Sequence, residues 1–257
     1  MLKNAAVVIS VCLVVALAGF VLASELPNRL SADEARSGFV VLFNGRDLDG
    51  WSPADGPWEV RDNAICFRDL ESWAGVNMAL VCERQVIPGD FDLRFEWREP
   101  PAGSEFMPGV LHVGTHRGTR ETAVEWTGPL FCSYLAGDRG IELLTNDVTI
   151  PLNQARFTSS ANPSHDARLP AGQWNIARMA CKGSEFRHWV NGKEVLRRNL
   201  SKKEDAHYLT RPNGDSLLKQ WLEVKQRGFR LQLAVLGRAV AYRSIRVRAI
   251  EVDEQIR

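Results

Sequence analysis

The chain has 257 residues, 45% of them hydrophobic and 25% charged, which is enough apolar material to close a core and excludes disordered and fibrous classes. Lys plus Arg total 32 against 31 Asp plus Glu, so the overall balance supplies no field of one sign for nucleic acid or an anionic membrane.

The first element is a leader. Met1-Leu2-Lys3-Asn4 runs into a stretch without charge from Ala5 to Ala23, and one basic residue before such a run reads as an export signal. Val21 and Ala23 are small residues at the spacing signal peptidase reads, which sets cleavage before Ser24; the run is also long enough to cross a bilayer uncut. Cys12 has no small residue immediately before it, so a lipoprotein anchor is not expected. Residues 1–23 are thus read as a signal peptide, 24–37 as an N-terminal segment and 38–252 as one domain. The protein is expected in the periplasm or outside the cell, with an N-terminal membrane anchor as the alternative.

Next comes a short helix in SADEAR, where Ser31 and Glu34 have capping-box spacing. The chain then reads at period two. In FDLRFEWR, Phe91, Leu93, Phe95 and Trp97 fall on one face and Asp92, Arg94, Glu96 and Arg98 on the other, as in a half-buried antiparallel strand. Further strands are expected at 38 to 43, 58 to 68, 78 to 82, 110 to 114 and 141 to 144. Those at 174 to 181, 185 to 190, 194 to 197, 229 to 236 and 244 to 252 complete the set. Asn191-Gly192 in WVNGKEVL supplies two residues that tolerate positive φ, as a two-residue hairpin turn requires. A second helix is expected in DSLLKQWLEVKQRG, capped by Asp215 and stopped at Gly228. The class is all-β, a sandwich or barrel.

Beyond the leader lie Cys66, Cys82, Cys132 and Cys181, with neither a C-x-x-C pair nor zinc spacing. Two disulfides, or buried thiols on strands, both fit this set, and no pairing follows. There is no G-x-S-x-G elbow, P-loop or dinucleotide fingerprint, which disfavours serine-nucleophile and nicotinamide chemistry.

The segment LFNGRDLDGW (42 to 51), followed by Trp58, Val60 and Asp62, resembles the opening of the 3-keto-disaccharide hydrolase family. FDLRFEWR, LPAGQWN and WVNG are similar to its later motifs, so the resemblance runs from about residue 31 to 252. It implies a concanavalin A-like jelly-roll β-sandwich acting on glycosides oxidised at carbon 3. In such sugars the keto group acidifies the proton on carbon 2, so a base can eliminate the glycosidic oxygen while an acid protonates it. The sequence departs from the family at Leu144, where glutamine is usual, and at Met107-Pro108, where a polar pair is usual. A noncatalytic carbohydrate-binding sandwich is therefore carried as the alternative.

The resemblance sets Glu142 on the family's glutamate, as the proton-transfer candidate, and strand alternation has it share a face with Leu144. His112 is the second catalytic candidate. With His116 and Glu142 it is also of a type that ligates divalent metals, although H-x-x-x-H shares a face only in a helix, and this stretch reads as strand and loop. No cofactor or metal is assigned; a divalent metal is the alternative left open. Glu125 and Trp126 pair a carboxylate with an indole, the combination that takes a pyranose's hydroxyls and covers its apolar face; a strand with a packed Trp is the other reading. Arg168 stands where the family has a lysine, and it and His165 are read as substrate-binding, or as exposed loop groups. The expected partner is carbohydrate, not nucleic acid, and a membrane only if the leader stays uncut.

Overall fold

A computed structural model describes residues 26–52, 58–67, 79–84, 89–98, 109–115, 131–134, 143–146, 157–161, 164–199, 201–202, 230–235, 241–251 and 255–256. The expected helix at 215 to 228 lies outside them. Helix α1 (Ala32–Arg36) begins as its capping box requires: Glu34 N–H donates to Ser31 Oγ and Ser31 N–H to Glu34 Oε2, both at 3.2 Å.

The strands form two sheets in which every pairing is antiparallel. The eight-stranded sheet runs β13 (Lys193–Asn199), β12 (Glu185–Val190), β11 (Trp174–Lys182), β6 (Phe91–Arg98), β15 (Ala241–Ala249), β4 (Ala64–Phe67), β3 (Trp58–Arg61). β1 (Val40–Val41) also pairs with β15. The seven-stranded sheet runs β10 (Phe157–Ala161), β9 (Leu143–Asn146), β8 (Phe131–Tyr134), β7 (Gly109–Thr115), β14 (Arg230–Val235), β5 (Ala79–Cys82), β2 (Trp51–Ser52).

The core lies between the sheets. Phe91, Leu93, Phe95 and Trp97 of β6 are all 0% exposed, the face that alternation assigned to them. They share one cluster with Met179 and Phe186 from their own sheet and with Leu80, Leu231 and Leu233 from the other. Each such side chain stabilises the fold by about 1.5–3 kcal/mol relative to leaving it exposed. Cys82 and Cys181 are buried thiols in this cluster and Cys66 is a half-buried one, in keeping with the buried-thiol reading.

Local chemistry sets the corners. The β12–β13 hairpin turns on Asn191 (φ 50°) and Gly192 (φ 77°), as the sequence predicts. The β3–β4 hairpin turns on Asp62 (φ 52°) and Asn63 (φ 59°) by the same geometry. Of the strand expected at 38 to 43 only Val40–Val41 joins the ladder: Gly38 turns the chain at φ 79°, and beyond Val41 the Leu42 N–H still donates to Ile245 O at 2.8 Å.

LFNGRDLDGW folds into a loop that satisfies its own polar groups. Asn44 Oδ1 accepts from Arg46 N (2.7 Å) and Asp47 N (3.1 Å), Asn44 Nδ2 donates to Asp47 Oδ1 (2.7 Å), and Trp51 Nε1 donates to Leu42 O (3.0 Å). Gly45 has φ +81°, and a Cβ there would come 2.6 Å from Asn28 Nδ2. Asn28 is itself buried, donating from Nδ2 to Asn63 O and accepting at Oδ1 from Ser244 N. Gly45→Ala is therefore expected to cost roughly 1–3 kcal/mol, through left-handed strain and displacement of Asn28, read as a lower urea midpoint at unchanged m-value.

Candidate functional site

The register of the seven-stranded sheet locates His112. On β7 it pairs with Gln232 of β14 on one side and Cys132 of β8 on the other, and Cys132 pairs in turn with Leu144 of β9. The neighbouring row joins Leu80, Leu233, Leu111, Ser133 and Leu143, and its Leu80 and Leu233 are 0% exposed in the core. His112, Cys132 and Leu144 therefore share one register row in the middle of the sheet, adjacent to the row that contains Leu80 and Leu233. Glu142, Glu125, Trp126 and His116 lie outside the described residues, Glu142 directly before β9.

Arg168 and His165 lie on the connection from β10 to β11, at residues 164–173. A buried amide and a half-buried one hold that connection. Asn175, 1% exposed at the start of β11, accepts at Oδ1 from Leu169 N (2.7 Å) and from Asn191 Nδ2 (2.9 Å). Asn191 also donates to Ala167 O and accepts from Ile176 N, each at 2.9 Å. The asparagines of LPAGQWN and WVNG, which carry part of the resemblance, thus meet in space and fix the loop. Sequence reasoning took Asn191 for a turn residue and passed over Asn175; the signal for both was an amide at a fixed place in a motif.

Within the loop Arg168 is engaged by Asp166. Its Nε donates to Oδ1 at 2.9 Å, its Nη2 to Oδ2 at 2.8 Å, and its backbone N–H to Oδ1 at 3.0 Å. These hydrogen bonds from Arg168 hold the Asp166 carboxyl down at about 2, so it is ionised throughout the physiological range. His165 is exposed, with Nδ1 2.9 Å from Ser164 Oγ. Ser164, His165 and Asp166 have the composition of a nucleophilic triad without its geometry: the serine hydroxyl donates to Val195 O at 3.2 Å, and the aspartate serves Arg168. The described contacts do not join this loop to His112. Among the described residues no group of three or more His, Cys, Asp or Glu is gathered to hold a metal ion.

Two antiparallel sheets closed over a shared core define a β-sandwich of the concanavalin-like class. The chain belongs to the family of 3-keto-alpha-glucoside-1,2-lyase-like domains, whose model matches residues 38–248, and its function is carbohydrate-related. A candidate glycosyl hydrolase from Parabacteroides distasonis ATCC 8503 is 18% identical with a TM-score of 0.55, over 88% of this chain and 100% of that one. The carbohydrate recognition domain of Emp46p in its metal-free form is 9% identical with a TM-score of 0.49, over 80% and 91%. The carbohydrate binding module CBM66 from Bacillus subtilis is 9% identical with a TM-score of 0.44, over 77% and 94%. At 18% identity the likeness to the first of these is one of fold. No curated protein matches the chain by sequence.

Proposed function

We propose that this is an exported enzyme cleaving the glycosidic bond of 3-keto-glycosides by acid/base chemistry, with Glu142 and His112 as its proton-transfer groups. The observation that carries the reading is the register row on the seven-stranded sheet, taken with family membership. His112 and Leu144 stand two strands apart in that row, and Glu142 lies two residues before Leu144 in the sequence. In this reading a bound pyranose lies between Glu142 and His112. One group removes the acidified proton at carbon 2 and the other protonates the departing glycosidic oxygen.

Trp126 and Glu125 are the proposed sugar-binding pair, the indole covering the ring's apolar face and the carboxylate taking hydroxyls. Arg168 and His165 are proposed as loop contributors to substrate binding. Asp166 keeps the Arg168 guanidinium oriented, which suits it to hold a hydroxyl rather than to carry an uncompensated charge. Supply of a divalent metal remains a variable of the test. A noncatalytic carbohydrate-binding module is the second reading, favoured by Leu144 and Met107-Pro108 at positions where the family carries polar groups.

The deciding experiment incubates the chain with 3-keto-trehalose and 3-keto-glucosides, with added divalent metal and with chelator, and analyses the products. Release of 3-keto-glucose or its 2-hydroxyglucal is expected, with Glu142→Gln lowering kcat by about a hundredfold or more, the usual contribution of a positioned proton-transfer group. Sugar binding without cleavage selects the binding module. Cleavage that survives Glu142→Gln removes Glu142 from the mechanism.

A further inference from the structure

The overall charge balance conceals a local one. On the outer face of the eight-stranded sheet, Arg178, Arg94 and Arg246 are directly paired across β11, β6 and β15. Such a row of like charges, at the ~4.8 Å strand spacing, is destabilising unless compensated. Two buried carboxylates compensate it. Asp92 accepts from Arg178 at 2.9 and 3.0 Å and from Arg94 at 3.3 and 3.4 Å, with Arg248 at 3.7 Å; Glu34 of α1 accepts from Arg246 at 2.6 Å and Arg94 at 3.3 Å. Among the described residues these two acids sit among four guanidinia, and solvent still reaches the Arg94 and Arg178 side chains, 31% and 24% exposed. Beside them Ile176, on the same face opposite Glu96, is 57% exposed, and the Trp189 ring lies under Arg178 at 4.6 Å. Arginine, indole and an exposed aliphatic side chain together are the composition of a surface that meets the boundary between headgroups and hydrocarbon.

The path of the N-terminal chain leads to the same place. Asn28 is fixed to β15 by its N–H to Ser244 Oγ (3.2 Å) and by Ser244 N–H to its Oδ1 (2.7 Å), and Arg246 Nη1 donates to the Ser244 carbonyl at 2.7 Å. The uncharged run ends at Ala23, five residues earlier, so about 17 Å of fully extended chain is the most that separates it from this corner. While that run lies in a bilayer, during export or as a lasting anchor, the corner is held close to headgroup level with the arginine row beside it.

We infer that the outer face of the eight-stranded sheet is a docking surface for anionic phospholipid headgroups. The guanidinia hydrogen-bond phosphodiester oxygens, the Trp189 ring backs Arg178, and the exposed Ile176 reaches the acyl boundary. The described fold begins after Ser24, so a chain starting there keeps it and separates the face from the leader.

The test is cosedimentation of that chain with vesicles of phosphatidylcholine alone, and of phosphatidylcholine mixed with phosphatidylglycerol. Binding about tenfold tighter to the anionic vesicles, weakening as salt is raised, is expected. Arg94→Gln should reduce it severalfold. Ile176→Glu, at an exposed position whose side chain makes no hydrogen bond, should do the same even if the arginine variant misfolds. Equal binding to both vesicle types, or binding untouched by Ile176→Glu in a folded protein, overturns the inference. Capture by dextran sulfate without binding to anionic vesicles also overturns it, in favour of a soluble polyanion.

Discussion

Lowering the pH from 6.5 to about 4.5 is expected to remove roughly 2 kcal/mol of stability from this protein, and a His188→Leu variant is expected to keep it. His188 lies on β12 between Met179 and Leu196, 1% exposed on the core face, and its Nε2 has no hydrogen-bond partner among the described residues. Burial pushes its pKa from 6.5 down to about 3. The unfolded chain therefore takes up a proton at this residue below 6.5, while the folded chain declines it until about 3. Stability is full above 6.5 and falls by about 1.4 kcal/mol per pH unit as the pH drops into that window. Asp166 acts lower: the Arg168 hydrogen bonds take it from 3.8 to about 2, so its contribution is lost only below 3.8. Urea midpoints for both proteins between pH 7 and 4.5 isolate His188, because the other histidines are common to both. At pH 7 the variant should be at least as stable, since it removes a buried nitrogen without a described partner. Parallel pH dependences in the two proteins would show that His188 gains a proton without opening the fold.

The legible parts of this fold are those in which one local rule decides the outcome. Alternation in FDLRFEWR named all four core residues of β6, Asn191-Gly192 named its turn, and Ser31 with Glu34 named the start of α1. Strands β2, β8 and β10 were missed because Trp51–Ser52, FCSY and FTSSA carry too little hydrophobic period; they exist because a neighbouring strand offers a ladder. Alternation also assigned Asp92 correctly to the outer face, yet it is 0% exposed. A period of two says which face a residue takes and nothing about the arginines and helix that roof that face. For the candidate site, the family resemblance pointed to Arg168, its loop to His165 and residue type to His112, whereas the partners that define their surroundings come from contacts distant in sequence. The Asn175–Asn191 pair under the loop is an example. Glu142, Glu125 and Trp126 rest on motif and alternation, which is why the chemistry is tested by substitution.

Asp92→Asn is expected to cost about 3 kcal/mol or more, the largest loss from removing one functional group outside the apolar core. The carboxylate is 0% exposed and draws together Arg94, Arg178 and Arg248. Replacing it with a neutral amide of the same shape leaves guanidinia facing one another across a partly desolvated sheet face, and breaking such a buried pair from one side costs about 3–5 kcal/mol. The side chains of Arg94 and Arg178 are 31% and 24% exposed, so water relieves part of that penalty and the lower end of the range applies. Arg178→Gln should cost less, because Asp92 retains Arg94 and Arg248, and the double variant should be less destabilised than the sum of the two. The exposed Asp33–Arg36 pair on α1 is the control, and Asp33→Asn there should cost less than about 1 kcal/mol. Urea midpoints at pH 7 read all four proteins. A loss below about 1 kcal/mol for Asp92→Asn would mean that the arginines find other anions or solvent as readily as this carboxylate. The roof over the sheet would then be a solvated charge lattice, with helix α1 held by its capping box and the Asn28 staple rather than by ion pairs.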